Sequence, residues 1–579
     1  MKSSPQLPAE KSSFTGLRLG LVILFLVLEF AIIAHVIRQN ITSDPLVKIP
    51  GYTPWSEEVV ETVSKIPVQD GGRVKPFSTY SRFQLLQFLG GVSVKIERGG
   101  EKQKITASEW MLDCMFRPDY ADQMPVFRID DTDLFKGLGF DASIKERRQR
   151  FSFNEIKPGY DKLLAKAEEL SAEVEEYQKR KGKINLNAEE EKVLEDKKKI
   201  TQFARQLRQY ESLTVMLNFA REGMGIDPDT IPPGVKDKEQ FQKFSYWMEN
   251  FEDIRYSISQ ATADNNGEIP RSLEQTLMTM QRHIGLSQYG VPWIPPYDPT
   301  EKEWKTVGNV IAEEIAKPDL NLEPVVADLK SLESLTKAAE EPDSDEFLSQ
   351  LKAWSENLTA RIDGRDLNET LGLHSEVLWI ERSFDDIITS EISYYNKRYF
   401  QKGLVYFIIA FVISILAWVV TEGRVFNVVK VLTGIFFTVG VYYLVIGITH
   451  RSWIMGRPPV GNLYDTIPFI TAGAVIVLGI AEVITRRRLL ISLGAFFGAA
   501  GLFLAFRYEF GDGSDNMDPL VAVLNSNYWL ATHVVTVTLG YSGALVACFI
   551  SQIYLHLRLA GFAKDKSFRR FIHLSLIHI

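Results

Sequence analysis

Five apolar stretches of about twenty residues crowd the last third of the chain, at about 403–421, 428–449, 467–485, 489–507 and 530–557. A helix needs about 20 apolar residues to cross the hydrocarbon core of a bilayer. Inside that core only helices and closed barrels satisfy their own backbone groups. These stretches therefore predict spanning helices joined by short connections. A sixth stretch, LRLGLVILFLVLEFAIIAHVI at 17–37, follows a tail containing Lys2 and Lys11 and opens with Arg18. It is longer than the apolar core of a cleaved leader and lacks a small-residue cleavage site, so a retained anchor is expected. The expectation is an all-α polytopic membrane bundle of about six spans with a large, mainly helical extracytoplasmic domain. Its parts are a cytoplasmic tail (1–16), an anchor span (17–38), the extracytoplasmic domain (39–400) and a membrane domain (401–579). FIHLSLIHI, after the basic residues 564–570, reads as the first two turns of a seventh span. The chain is accordingly expected to be a fragment truncated at its C-terminus.

Charge gives the orientation. Residues 401–579 hold 14 Lys/Arg and 8 Asp/Glu, whereas 1–400 hold 51 and 65. With the N-terminus in the cytoplasm, ten basic residues flank the inner ends of the spans: Arg424, Lys430, Arg486, Arg487, Arg488, Arg558, Lys564, Lys566, Arg569 and Arg570. Four flank the outer ends: Lys402, Arg451, Arg457 and Arg507. Basic residues favour the cytoplasmic side, so 39–400 and the connections 450–466 and 508–529 are expected outside the cytoplasm. The acidic balance of 1–400 argues against nucleic acid as a partner. The two cysteines, Cys114 and Cys548, form no CxxC pair for zinc, dithiol chemistry or covalent heme attachment.

The extracytoplasmic region reads as helical patterns broken by proline. Residues 155–220 predict two long charged helices around a turn near Gly182–Asn187, a solvated arm or a partner-docking coiled coil. A second helix-rich stretch covers about 300–400, and DPDTIPPGV and GVPWIPPYDP connect the subregions. No phosphate loop, dinucleotide fingerprint, HExxH or nucleophile elbow occurs. Residues 67–80, PVQDGGRVKPFSTY, predict a tight surface turn with Asp70, Arg73 and Lys75 at its rim.

Histidines at membrane depth are the candidate functional residues. His35 lies near the end of the first span, six residues after Glu29, and ionisable groups inside a span are functional candidates. His450 closes the third span. His533 sits one turn into the sixth, after Tyr528 and Trp529, and His556 lies near its cytoplasmic end. His450 and His533 share one level, bracketing the loops THRSWIMGRPPVGNLYDTIPF and YEFGDGSDNMDPLVAVLNSNYWLATH. A neutral imidazole can take a heme iron axially, with aromatic side chains against the porphyrin. The guanidiniums of Arg451 and Arg457 suit its propionates. A small-molecule transporter or permease with a sensory or docking outer domain fits the same loops, as does a membrane scaffold.

Two stretches carry a family resemblance. Residues Gly456-Arg457-Pro458-Pro459-Val460-Gly461-Asn462-Leu463-Tyr464-Asp465-Thr466 resemble a GxxPxxNxYES stretch. Met517-Asp518-Pro519-Leu520, Leu524-Asn525-Ser526 and Trp529-Leu530 with His533-Val534 resemble PLxPxLxSxWLxxHV. Both belong to the heme-handling cytochrome c assembly proteins of the CcsA/ResC type, and the resemblance covers roughly 400–560. DGGRVKPFSTY also resembles a segment of their long fused versions. The resemblance implies cytochrome c biogenesis: heme is bound and presented at the outer face for covalent attachment to apocytochrome c. That is work within a holocytochrome c synthase (heme lyase) complex, with ResB-like or thioredoxin-like maturation partners. It implies that His533 is the outer axial ligand. Around it the site is expected to include His450 and Arg451, read from the loops themselves, and Arg457, Asn462, Tyr464 and Trp529, which stand in the resembling stretches; such proteins also use an inner heme site, for which His35, matched by no motif, is the candidate. The family's tryptophan-rich loop and second outer histidine do not occur in these 579 residues and are expected beyond the seventh span. A single N-terminal span also departs from the several spans of the fused versions.

Overall fold

The computed structural model describes residues 46–129, 134, 138, 149–180, 188–227, 230–231, 237, 239–298, 300–316, 322–341, 345–362, 383–419, 423–486, 489–513, 515–517 and 528–559. The anchor span at 17–38, the turn of the expected hairpin and the start of the expected seventh span lie outside them.

The described chain is mostly helical, but its first hundred residues also build three small sheets. Strand β1 (Val47–Lys48) precedes helix α1 (Glu57–Lys65) and the hairpin of β2 (Pro67–Asp70) and β3 (Arg73–Pro76), which runs into α2 (Phe77–Leu89). Next come β4 (Ser93–Arg98), β5 (Glu101–Thr106) and α3 (Ala107–Phe116), then a two-residue pairing of β6 (Phe127–Arg128) with β7 (Arg150–Phe151). Strand β4 lies between β1, parallel to it, and β5, antiparallel. Helical pattern reading missed β4 and β5 because only Val94, Ile96 and Ile105 face the core, and the other positions are nearly all charged or polar. Thr106 and Glu109 close a reciprocal cap over the first turn of α3.

The expected hairpin is α4 (Phe153–Arg180) and α5 (Ala188–Val215). It is more than an arm. At its base Phe153, Tyr160, Phe203 and Tyr210 pack into the same core as Phe127 and Trp110. The aromatic rings of Phe127 and Tyr210 meet edge to face at 5.0 Å. Helices α6 (Phe244–Glu249), α7 (Phe251–Asp264), α8 (Arg271–Ser287), α9 (Val307–Ala316), α10 (Glu323–Ala338) and α11 (Asp345–Ile362) complete this N-terminal region.

Helix α12 (Phe384–Lys397) turns at Arg398, whose φ of 49° is left-handed, into α13 (Tyr399–Val419). Then follow α14 (Arg424–Met455), α15 (Leu463–Thr485), α16 (Leu489–Asp512) and α17 (Tyr528–Leu559). Five stretches of these helices are long and apolar enough to cross a membrane: Phe384–Leu416, Arg424–Met455, Leu463–Thr485, Leu489–Gly511 and Thr532–His556. They match the five C-terminal spans read from the sequence. Large apolar side chains such as Val428, Ile435, Val483 and Phe503 are exposed on the outside of the bundle, as a lipid-facing surface requires. Inside, the ring of Phe407 fills the space that glycine leaves on α16, since a Cβ on Gly498 would lie 2.6 Å from it. Successive helices run antiparallel. The start of α13, the end of α14, the start of α15, the end of α16 and the start of α17 therefore share one end of the bundle, where the N-terminal region docks.

A charged junction as candidate functional site

The junction begins with a turn. Asp70 pairs with Arg73 across β2 and β3, leaving Gly71 (φ 62°) and Gly72 (φ 79°) as the loop. Positive φ at both positions is the type I′ geometry that matches strand twist, and glycine adopts it without strain. The expectation of charged residues at a surface rim is corrected here for two of the three. Asp70 stays half exposed, but Arg73 is 1% and Lys75 0% exposed, because β3 is covered by α12 and by the end of the bundle.

Each buried cation is matched. Arg73 donates Nη1 and Nη2 to the two carboxylate oxygens of Glu391 on α12, both at 2.8 Å. Its Nε and Nη2 also donate to Oδ2 of Asp515, at 3.1 and 2.6 Å. Lys75 Nζ lies 2.8 Å from Asp515 Oδ2 and 2.9 Å from Asp70. Burial alone raises the Asp515 carboxyl, but the charges of Arg73 and Lys75 outweigh it and hold the group below the usual carboxylate range. Burial likewise works against the charge of Lys75, and the neighbouring carboxylates overturn it and raise the group.

Beside this group lies a second one, built from the connections. Asn462 caps α15, its Oδ1 accepting from Asp465 N at 2.8 Å. Asp465 takes Arg451 Nε at 2.6 Å on one oxygen, and faces Arg457 Nη2 at 3.6 Å with the other. The Arg451 guanidinium also lies 4.6 Å from the ring centre of Tyr464 and donates to the carbonyl of Asn516. Asn462 Nδ2 donates to that same carbonyl at 2.6 Å. Since Asp515 Oδ1 accepts from Met517 N at 3.0 Å, residues 515–517 form a knot gripped from both groups. Val74, Ile387, Ile388, Ile454 and Met517 pack around it and exclude water.

The tally of these side chains decides what the junction can do. Among the described side chains, Arg73, Lys75, Arg82, Arg451 and Arg457 face Asp70, Glu391, Asp465, Glu509 and Asp515, five cations against five carboxylates. An added anion, a propionate included, competes with a carboxylate already in place.

Four sequence-predicted residues, Arg451, Arg457, Asn462 and Tyr464, are thus brought together around Asp465. His450 is adjacent in sequence but turned away, half-buried, with its ring against Tyr394 and Tyr399 at 6.1 and 5.5 Å. His533 is exposed in the second turn of α17 and engages no partner among the described residues. No hydrogen bond or ring contact joins the two histidines. Trp529 lies in the first turn of α17, and its side chain is outside the described residues, as is His35. His556 is exposed, its Nδ1 2.8 Å from the Gln552 carbonyl. Among the described residues no group of three His, Cys, Asp or Glu side chains is placed to hold a bare metal ion. Sequence reading missed Glu391, Asp465 and Asp515 as partners, and no local signal in the sequence points to these pairings. No family model matches the chain, and no curated protein matches it.

Proposed function

We propose that this chain handles heme in cytochrome c assembly, binding it at the outer face of a bacterial inner membrane for attachment to apocytochrome c. In this reading the N-terminus is cytoplasmic, six spans cross the bilayer, and residues 39–400 form a mainly helical extracytoplasmic domain that meets the apocytochrome and its maturation partners. The observation that carries the reading lies at one end of the bundle, where Asn462 of the first resemblance-bearing stretch, together with Arg451, holds the carbonyl of Asn516, the residue just before the second. The donor chemistry fits: His533 presents an exposed imidazole, open on the described side, at that same end. Bound heme supplies the iron and the vinyl groups that the assembly reaction needs. His533 would ligate the iron, and Tyr464 and Trp529 would supply aromatic surface beside it. His450, enclosed by tyrosines, is a packing residue of that surface. Arg451 and Arg457 shape the surface with their charge committed to Asp465, and reach propionates only by sharing it. Heme absorbance of the purified chain, compared with His533→Ala, tests the proposal.

A further inference from the structure

We infer that the face shared by α13 and α14, at the end of the bundle where the N-terminal region docks, binds an anionic phospholipid. Its phosphate sits on Lys402, and its chains lie along the rings of Tyr443, Tyr406 and Phe436. The site concerns the bilayer and is independent of heme.

Close helix packing builds the face. A Cβ on Gly440 of α14 would lie 3.0 Å from the Phe407 ring of α13, and one on Gly403 would lie 3.5 Å from the Gly440 carbonyl oxygen. Small residues let the two backbones approach this closely, and other large rings stand on the flank of the pair. Tyr406 and Tyr443 stack with ring centres 5.4 Å and planes 5° apart. Tyr406 and Phe436 stack at 6.2 Å and 24°. Lys402 Nζ stands 5.9 Å from the centre of the Tyr443 ring. Lys402 and Tyr406 are one turn apart on α13, and Tyr443 and Phe436 two turns apart on α14. The cation and the three rings therefore form a column running from the end of the bundle toward its middle. The rings are half-buried, and Lys402, Val405 and Tyr442 beside them are exposed.

The charge at the head of the column has no counterpart in the described chain. Lys397 ends α12, Arg398 makes the turn, and Lys402 follows one turn later, its N donating to the Arg398 carbonyl at 3.1 Å. All three side chains are exposed, and none meets a carboxylate among the described residues. The neighbouring junction matches each of its cations to an acid, so these three are a local surplus of positive charge. Such a surplus beside a membrane-spanning helix attracts anionic headgroups. An exposed ammonium over a ring is weakly held, and it stays available to a phosphate. The column selects a lipid over a soluble anion. A free phosphate would use Lys402 and leave the rings uncovered, whereas a phospholipid occupies both at once.

The test is native mass spectrometry of the full chain in neutral detergent, titrated with phosphatidylglycerol or with phosphatidylcholine. The wild type is expected to bind phosphatidylglycerol more tightly than phosphatidylcholine. Lys402→Gln is expected to weaken phosphatidylglycerol about fivefold, the loss of one cation beside an anionic group. Lys397→Gln combined with Lys402→Gln is expected to weaken it further. Phosphatidylcholine binding is expected to stay at the wild-type level in both variants, which also shows that they are folded. Lys402→Arg, which keeps the charge, is expected to bind as the wild type does. Glycerol phosphate, a headgroup without chains, is expected not to displace the lipid. Equal affinity for the two lipids, wild-type phosphatidylglycerol binding by Lys402→Gln, or displacement by glycerol phosphate overturns the inference.

Discussion

Arg451 and Asp465 face each other across the connection between α14 and α15, Nε to Oδ1 at 2.6 Å, with side chains 5% and 1% exposed. The same carboxylate faces Arg457, so one acid organises the whole connection.

Removing that acid leaves two guanidiniums with their shared charge partner gone. Breaking one side of a buried pair typically costs about 3–5 kcal/mol. Asp465→Ala is expected to destabilise the chain on that order, and Asp465→Asn by less, because the amide oxygen still accepts from Arg451. Denaturant unfolding in detergent measures both, and equal, negligible losses would contradict the assignment.

The turn glycines give a second comparison. Gly71 and Gly99 have φ of 62° each and belong to two-residue hairpin loops. Alanine at either carries the left-handed penalty of about 1–2 kcal/mol. Only Gly71→Ala is expected to loosen the junction as well, read as faster exchange at residues 73–76 with Gly99→Ala as the control.

The junction also predicts an acid limit. Asp515 is held below the usual carboxylate value, so its ionised form is favoured by folding. Its contribution is fully present above the unfolded value, about 3.9, and is lost as pH falls through the lower folded value. The stability difference between wild type and Asp515→Asn is expected to stay constant from pH 7 to about pH 5 and to shrink only under strong acid. A difference that vanished between pH 7 and pH 5 would rule out the ion group as its source.

In the bundle, Gly498 packs against the Phe407 ring, and a Cβ there would lie 2.6 Å from it. Gly498→Ala is expected to destabilise by about 1–3 kcal/mol through overpacking. A double variant with Phe407→Leu, which vacates the ring's space, is expected to recover part of that loss in thermal unfolding.

How much of this was legible beforehand follows from range. The five spans were readable because each is a local apolar run, and the α4–α5 hairpin because its period is local. Strands β4 and β5 were not, since a surface sheet with three inward side chains leaves almost no apolar pattern. The residues of the connections were legible as candidates, but their pairing was not. Arg73 meets Asp515 across 442 positions, and nothing local in the sequence announces that contact. The same distance explains why Arg73 and Lys75 read as a surface rim: charged residues after two glycines look solvated until their acids are brought to them.

The proposed heme handling through His533 is tested by the absorbance spectrum of the full chain purified from cells supplied with heme. A heme Soret band is expected that is lost or shifted in His533→Ala and retained in His556→Ala. A wild-type chain without heme, or a spectrum unchanged in His533→Ala, would contradict it.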